Sequence, residues 1–181
     1  MDLRVRFFVN RSKHHPMKSA LLILFVSLTI SPAKLPDLNA KVIEYVNKNM
    51  GKKVSRGECW DLAAGALAYS KAYFDRSSMK TITTYGKQLN PKKDEILPGD
   101  MIQFKKVKMK WKEGNATYES ALGMPDHTAI VYKVNGPGDF EIAHQNTSDW
   151  GKKVGVNNLK LERVTGGSMK FYRPVASKSE M

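Results

Sequence analysis

The chain of 181 residues contains a single cysteine, Cys59. One cysteine cannot form an intrachain disulfide, so the fold must be held together by burial of apolar side chains. A domain of this length can bury a core that is large enough to be stable without disulfides. Cys59 is then either a small buried hydrophobic residue or a thiol that is kept for its reactivity. Both interpretations fit a single cysteine, and the residues around Cys59 favour a reactive thiol.

Cys59 lies at the predicted start of a helix. Ser55 and Glu58 match a capping-box pattern, and an apolar, Ala-rich run follows as far as Ala68. We therefore expect Cys59 in the first helical turn, where free backbone N–H groups and the helix dipole lower the pKa of a thiol. Asp61 is expected to face solvent or to cap the helix.

Residues 17–33 have the three parts of a secretory signal. Lys18 supplies positive charge, an apolar run follows, and a small-x-small pattern ends at Ala33. The apolar run is shorter than the roughly 20 residues of a membrane-spanning helix, although a membrane anchor is the alternative. The sequence thus predicts a signal peptide over residues 1–33, with Met17 as a second possible start. It predicts an exported protein, periplasmic or secreted, after cleavage near Ala33.

The chain is basic, with 30 Lys and Arg against 17 Asp and Glu. Such a charge draws an exported protein to anionic polymers. A predicted strand carries lysines at every second position, and this row is either a contact for an anionic polymer or a solvated sheet edge: Lys106, Lys108, Lys110 and Lys112. Only Trp111 is interleaved with them, so specific binding of nucleic acid is not expected. We expect a monomer.

The order of the predicted elements indicates an α+β fold. A helix is predicted over Pro36 to Asn49, and the Cys59 helix is predicted to reach about Tyr73. An irregular stretch and then a series of strands follow. The strands are predicted at 101–104, 105–112, 128–134, 140–144, 154–156, 159–161 and 169–172, with a bulge near Lys105-Lys106 and a loop over 113–125.

Two histidines follow the predicted leader, and both lie on the predicted hairpin around Pro137. The expected pairing sets His127 opposite Asn146 or Thr147. Cys59, His127 and a polar group of the next strand could then converge. Cysteine hydrolases need this arrangement, since a base must take the thiol proton and a third side chain must orient the imidazole.

Four segments resemble, in order, the NlpC/P60 superfamily of papain-like cysteine hydrolases, and most closely its CHAP amidase/endopeptidase branch. They are 57–62 (GECWDL), 97–104 (LPGDMIQF), 126–131 (DHTAIV) and 143–146 (AHQN). The resemblance implies one catalytic domain over residues 34–181. In that fold N-terminal helices pack on an antiparallel sheet, and the nucleophile lies at a helix N-terminus.

The resemblance also implies roles for individual residues. Cys59 corresponds to the nucleophile and His127 to the general base, while either Asn146 or His144 orients the imidazole. The candidates for lining the substrate cleft are Trp60, Gln145 and Asp126. No cofactor is expected, and one Cys with two distant His shows no familiar metal-ligand spacing.

The predicted function is hydrolysis of an amide bond in cell-wall peptide, by a peptidoglycan amidase or endopeptidase. Two alternatives stay open at this point. One is a non-catalytic binding module on the same fold, and the other is a basic secreted protein that binds polyanions.

Overall fold

The computed structural model describes residues 34–74 and 84–181, so the predicted signal peptide lies outside the described residues. Two helices come first: α1 (Asp37–Asn49) and α2 (Cys59–Ser70). Six strands follow: β1 (Lys87–Leu89), β2 (Met101–Glu113), β3 (Ala116–Gly136), β4 (Asp139–His144), β5 (Gly155–Lys160) and β6 (Val164–Arg173). They form one antiparallel sheet in the order β1-β6-β2-β3-β4-β5, which confirms the α+β class.

The two helices cover one face of the sheet. Val42 and Val46, one helical turn apart on α1, are fully buried, and Leu62 and Leu67 of α2 join them. This spacing places apolar side chains on one side of each helix. Neither described helix is long and apolar enough to cross a membrane.

The opposite face of the sheet is buried as well. Its residues include Phe104, Ile142 and Leu159, and none of these three is exposed. Phe140 of β4 contacts Phe171 of β6, with ring centroids 5.9 Å apart. Since β2 and β3 lie between those strands, the contact shows that the sheet curls and closes over its own apolar face.

The prediction of a loop over residues 113–125 is wrong. A short turn at Gly114 joins β2 to β3, and the two strands form a long hairpin, which we call the arm (residues 107–122). Cross-strand contacts hold it: Trp111 stacks on Tyr118 at 5.5 Å, and Lys110 pairs with Glu119 at 2.8 Å. The pattern was missed because most of this part of β3 is exposed on both faces, so apolar alternation is weak.

Other boundaries also differ from the prediction. Helix α2 ends at Ser70 because Lys71 adopts the left-handed conformation (φ 63°). The short strand β1 was not predicted, and the two short strands predicted at 154–156 and 159–161 are the single strand β5. The predicted bulge is confirmed by the register shift between Lys105 and Val107.

The lysine row lies partly inside the sheet and partly on an edge, because β6 pairs with β2 only as far as Met109 and leaves Lys110 and Lys112 paired with β3 alone. Over residues 101–109, strand β2 is paired on both sides, with β3 and with β6. Lys108, Lys110 and Lys112 are exposed on one face of the arm, while the residues between them point to the apolar side. A contact between these lysines and an anionic polymer stays a prediction.

A buried carboxylate fixes the start of β2. Asp100 has no exposed surface, and its two oxygens accept hydrogen bonds from the Arg173 guanidinium (3.1 and 2.9 Å), from Asn39 Nδ2 (2.9 Å) and from the Leu97 N–H (2.9 Å). This one side chain therefore ties α1, the turn before β2, and β6 together.

Candidate functional site

Cys59 is the first residue of α2, as the sequence predicts. The cap differs from the predicted pair of Ser55 and Glu58. Asp61 Oδ2 instead accepts hydrogen bonds from the backbone N–H groups of Glu58 and Arg56, both at 3.1 Å. The Arg56 guanidinium binds the other oxygen of Asp61 at 2.8 Å. Asp61 is thus a buried capping residue, one of the two roles expected for it.

The surroundings of Cys59 make its thiol a weaker acid than a free cysteine thiol. Burial raises its pKa, the nearby Glu58 carboxylate adds to the rise, and the backbone N–H groups of Thr128, Trp60 and Cys59 itself act in the opposite direction. The net shift is upward, whereas a helix start alone would lower it. The expectation of a lowered thiol pKa is therefore wrong, because desolvation outweighs the helix N-terminus.

His127, on β3, points its Nε2 at His144 Nδ1, 3.1 Å away at the end of β4. His144 Nε2 in turn lies 2.8 Å from Asn157 Oδ1 on β5. Three neighbouring strands therefore contribute one side chain each to a continuous row of hydrogen bonds. We call these three residues the relay.

Both histidines of the relay are buried, with 7% of His127 and 2% of His144 exposed. Burial lowers the pKa of His127 to about 4, with a smaller contribution from His144. Burial also lowers the pKa of His144, although the hydrogen bond that His144 donates to Asn157 and the charge of Asp149 oppose the change. Both rings are therefore neutral at pH 7.

A cavity of about 730 Å³ opens beside Cys59 and His127. It runs between the arm and strands β4 and β5. Its lining combines carboxylates, amides and hydroxyls with apolar side chains from the arm, and it includes Glu58, Asp126, Asp149, Asn146, Ser120, Met109, Trp111, Leu122, Lys160 and Arg163. Such a mixed lining can hold a polypeptide, whose backbone needs polar partners and whose side chains need apolar ones.

The structure distinguishes the two candidates for orienting His127. His144 makes the hydrogen bond to His127, whereas Asn146 Nδ2 binds the Glu58 carboxylate at 2.9 Å. Strand β4 ends at His144, and Asn146 has a left-handed backbone (φ 62°), so the two-residue spacing does not place both side chains on one face of a regular strand. Asn146 still lines the cavity.

The three cleft candidates separate as well. Asp126 lines the cavity. Gln145 is fully buried and binds backbone groups of Val54 and Glu58 with its amide, so its side chain holds the segment before α2 in place. Trp60 is not part of the lining, and its ring instead lies under the Arg56 guanidinium at 5.3 Å. The catalytic roles of these residues stay predictions.

Asn157 is a site residue that was not predicted from the sequence. Its amide donates to Asp149 Oδ2 at 2.7 Å, and its Oδ1 accepts from Trp150 Nε1 at 2.9 Å. No local sequence pattern marks an asparagine in a short strand as a site residue. Only the pairing of β4 with β5 brings Asn157 near His144. Tyr85 was also missed, and its hydroxyl binds the buried Thr128 hydroxyl at 2.8 Å.

Comparison with known families agrees with this geometry. The AIM3/BBC1 cysteine proteinase-fold domain matches residues 37–180, which is most of the chain and includes every site residue. The chain belongs to this family. The papain-like cysteine proteinase fold predicted from the sequence is thereby confirmed, while the narrower NlpC/P60 and CHAP placement is not.

A curated relative is known from Debaryomyces hansenii. It is named Altered inheritance of mitochondria protein 3 and is 30% identical over 148 residues. The match covers 74% of this chain but only 15% of the relative. Among solved structures, the crystal structure of Ly7917 resembles this chain with a TM-score of 0.43 and 16% identity, over 74% of this chain and 62% of that one.

The predicted export of the protein is wrong. The relative from Debaryomyces hansenii is named for the inheritance of mitochondria, and this points away from a secreted or periplasmic protein. The apolar stretch that suggested a signal peptide is short and compositional, so it is a weak pattern by itself. The comparisons likewise give no support to a cell-wall substrate.

Proposed function

We propose that this domain is a binding module on the papain-like fold, and that it holds an extended polypeptide segment in the cavity beside Cys59. The observation that carries the proposal is the burial of the Cys59 and His127 side chains where they line that cavity, because burial opposes ionisation of both groups. A cysteine hydrolase must form a thiolate, yet burial raises the pKa of the thiol and lowers the pKa of His127 to about 4. Both shifts oppose transfer of the proton from sulfur to imidazole.

The cavity itself supports a polypeptide ligand. The inner side of the arm contributes Met109 and Leu122, which can contact apolar side chains. Amide and carboxylate groups of Asn146 and Asp126 lie on the cavity surface, where they can bind the N–H and C=O groups of an extended backbone.

The family supports binding as well. The relative from Debaryomyces hansenii is named for a process, the inheritance of an organelle, and not for a chemical reaction. The match covers 15% of that protein's length, as expected if the domain is one of several parts of a larger protein. A domain of that kind works by holding a partner, for which turnover is not needed.

Hydrolysis of a peptide bond is the second candidate, and the relay is the observation that favours it. In that reaction His127 takes the Cys59 proton, and the sulfur attacks the amide carbonyl while backbone N–H groups at Cys59 bind the oxyanion. The amine leaves with the proton from His127, and a thioester remains. Water, deprotonated by His127, then hydrolyses the thioester and restores the free thiol.

A block of the cavity tests where the ligand binds. Peptides that bind the full chain are selected from a random-sequence display library, and their affinities are measured by fluorescence anisotropy. Ser120→Trp places a large ring in the cavity, and Ala116→Trp is the matched control on the same face of β3 but outside the cavity. We expect at least a tenfold loss of affinity in Ser120→Trp and no loss in the control. Equal affinity in both variants, or no selected peptide, would overturn the proposal.

A further inference from the structure

Asn157 has only one possible orientation. The indole Nε1 of Trp150 is solely a hydrogen-bond donor, so the Asn157 atom 2.9 Å from it must be the carbonyl oxygen. An ionised carboxylate is solely an acceptor, so the Asn157 atom 2.7 Å from Asp149 must be the amide nitrogen. A flipped amide would set donor against donor and acceptor against acceptor. Two independent partners therefore agree on which way the side chain points.

This orientation determines where the protons of both histidines lie. His144 Nε2 faces the Asn157 oxygen and must carry a proton to donate to it. A neutral His144 then has an unprotonated Nδ1, which accepts the hydrogen bond at 3.1 Å from His127. His127 must therefore carry its own proton on Nε2, and its Nδ1 holds the lone pair.

We infer that Asn157 is a positioning residue that sets the tautomers of His144 and His127, and that it is itself oriented by Asp149 and Trp150. Through two hydrogen bonds it makes Nδ1 of His127 a hydrogen-bond acceptor. An acceptor at this position can accept a hydrogen bond from a backbone N–H of a bound polypeptide. It can also take up the thiol proton if the domain hydrolyses a substrate. The assignment follows from the hydrogen-bond geometry and the neutrality of the two buried rings, and it does not depend on which of the two functions is correct.

The residues around Trp150 leave room for its ring to reach Asn157. Gly155 pairs directly with His144 across β4 and β5, and a Cβ built on Gly155 would come within 2.0 Å of the Trp150 ring. The missing side chain leaves room for the indole to lie against β5. The backbone groups of Thr147 and Gly151 exchange two hydrogen bonds, at 3.1 and 2.8 Å, and close the turn that carries Asp149 and Trp150.

Burial keeps His144 and His127 neutral and stabilises one tautomer of each ring. Both rings are shielded from solvent, and burial lowers the pKa of each, so the neutral forms persist at pH 7. A neutral imidazole in water exchanges between its tautomers, whereas here a change in one ring requires a change in the other. The state of His127 is therefore coupled to Asn157, although the two side chains do not touch.

Nitrogen-15 NMR of the full chain at pH 7.5 tests the inference, because the shift of an imidazole nitrogen reports whether it carries a proton. We expect both histidines in the wild type to be protonated on Nε2. In Asn157→Leu the acceptor is lost, and His127 is expected to show a second form with a proton on Nδ1, populated above about one tenth. The control Asn158→Leu changes the exposed neighbour on β5 and should keep the wild-type spectrum.

A second variant covers the case in which Asn157→Leu fails to fold. Asp149→Leu with Trp150→Phe alters only exposed residues and leaves Asn157 free to flip, so it should give the same mixture of tautomers. A proton on Nδ1 of His127 in the wild type would overturn the inference. Unchanged tautomers in a folded Asn157→Leu, or in the double variant, would overturn it as well.

Discussion

The reactivity of Cys59 distinguishes a resting neutral pair from a thiolate–imidazolium pair. Taking the thiol at its ordinary pKa of 9.0, which is a lower limit here, and His127 at about 4, proton transfer spans about 5 units. At 1.36 kcal/mol per unit this costs about 7 kcal/mol. Two opposite charges about 4 Å apart attract each other by about 4 kcal/mol at an effective dielectric constant of about 20. Even an ion pair in contact would therefore leave the neutral pair favoured by about 3 kcal/mol.

This free-energy difference between the neutral pair and the ion pair sets the expected rate of Cys59 alkylation. Fewer than about 1% of molecules hold the ion pair, because each 1.4 kcal/mol is a factor of ten. Alkylation of Cys59 by iodoacetamide should therefore rise only as pH approaches 9 or above. At pH 6 the rate should be below about one-hundredth of the plateau. The assay is intact-mass spectrometry over a range of pH, on the full chain and on His127→Ala, with the unfolded chain as a reference thiol.

The variant supplies the outcome that would refute this reasoning. If the pair is neutral, His127→Ala should change the rate at pH 6 by less than about threefold. A rate at pH 6 that is close to the plateau, and that disappears in His127→Ala, would show a preformed ion pair. The desolvation argument would then be incorrect, and hydrolysis would become the favoured function.

Three further predictions concern stability and packing. Asp100→Asn should cost about 3–5 kcal/mol in the free energy of unfolding measured with urea, since it leaves the Arg173 guanidinium without its charged partner. The depressed pKa of His127 means that its contribution to stability is complete above pH 6.5 and falls as pH drops towards 4, by about 3 kcal/mol; a urea series should show a larger loss over this range in the wild type than in His127→Gln, which keeps the contribution of His144. Gly155→Ala should push the Trp150 ring into solvent and shift its fluorescence to the red, and an unchanged spectrum would contradict the packing.

Local sequence patterns predicted the parts of the fold that depend on local chemistry. The apolar face of α1, the helix start at Cys59 and the bulge beside Val107 were all evident from spacing and residue type. His127 was placed correctly at the beginning of the buried part of β3. Each of these features depends on a few neighbouring residues, for which periodicity and capping rules are informative.

The rest of the site depends on contacts that are distant in the sequence. His144 was a candidate, but its choice over Asn146 required the left-handed backbone that ends β4. Asn157 enters the relay only through the register of β4 and β5, where it pairs with Ile142, two residues before His144. The shift of the thiol pKa could not be predicted either, because it reflects burial by the whole domain and not the helix start alone.

The arm shows the same limit for a whole element. Its β2 strand keeps the alternation that marks a half-buried strand, but its β3 strand is exposed over residues 116–121 and lacks it. The Trp111–Tyr118 stack and the Lys110–Glu119 pair become visible only once the register is known. The arm matters for function because its inner side forms one wall of the cavity.

The fate of a bound peptide tests the central claim most directly. A peptide selected for binding to the full chain is incubated with it at pH 7.5, in parallel with Cys59→Ala, and both the peptide and the protein are analysed by intact-mass spectrometry. We predict that the peptide is recovered whole from both proteins, and that neither carries an added mass. Cleaved fragments, or an acyl group on Cys59, formed by the wild type and absent from Cys59→Ala, would contradict a binding module and establish a cysteine hydrolase.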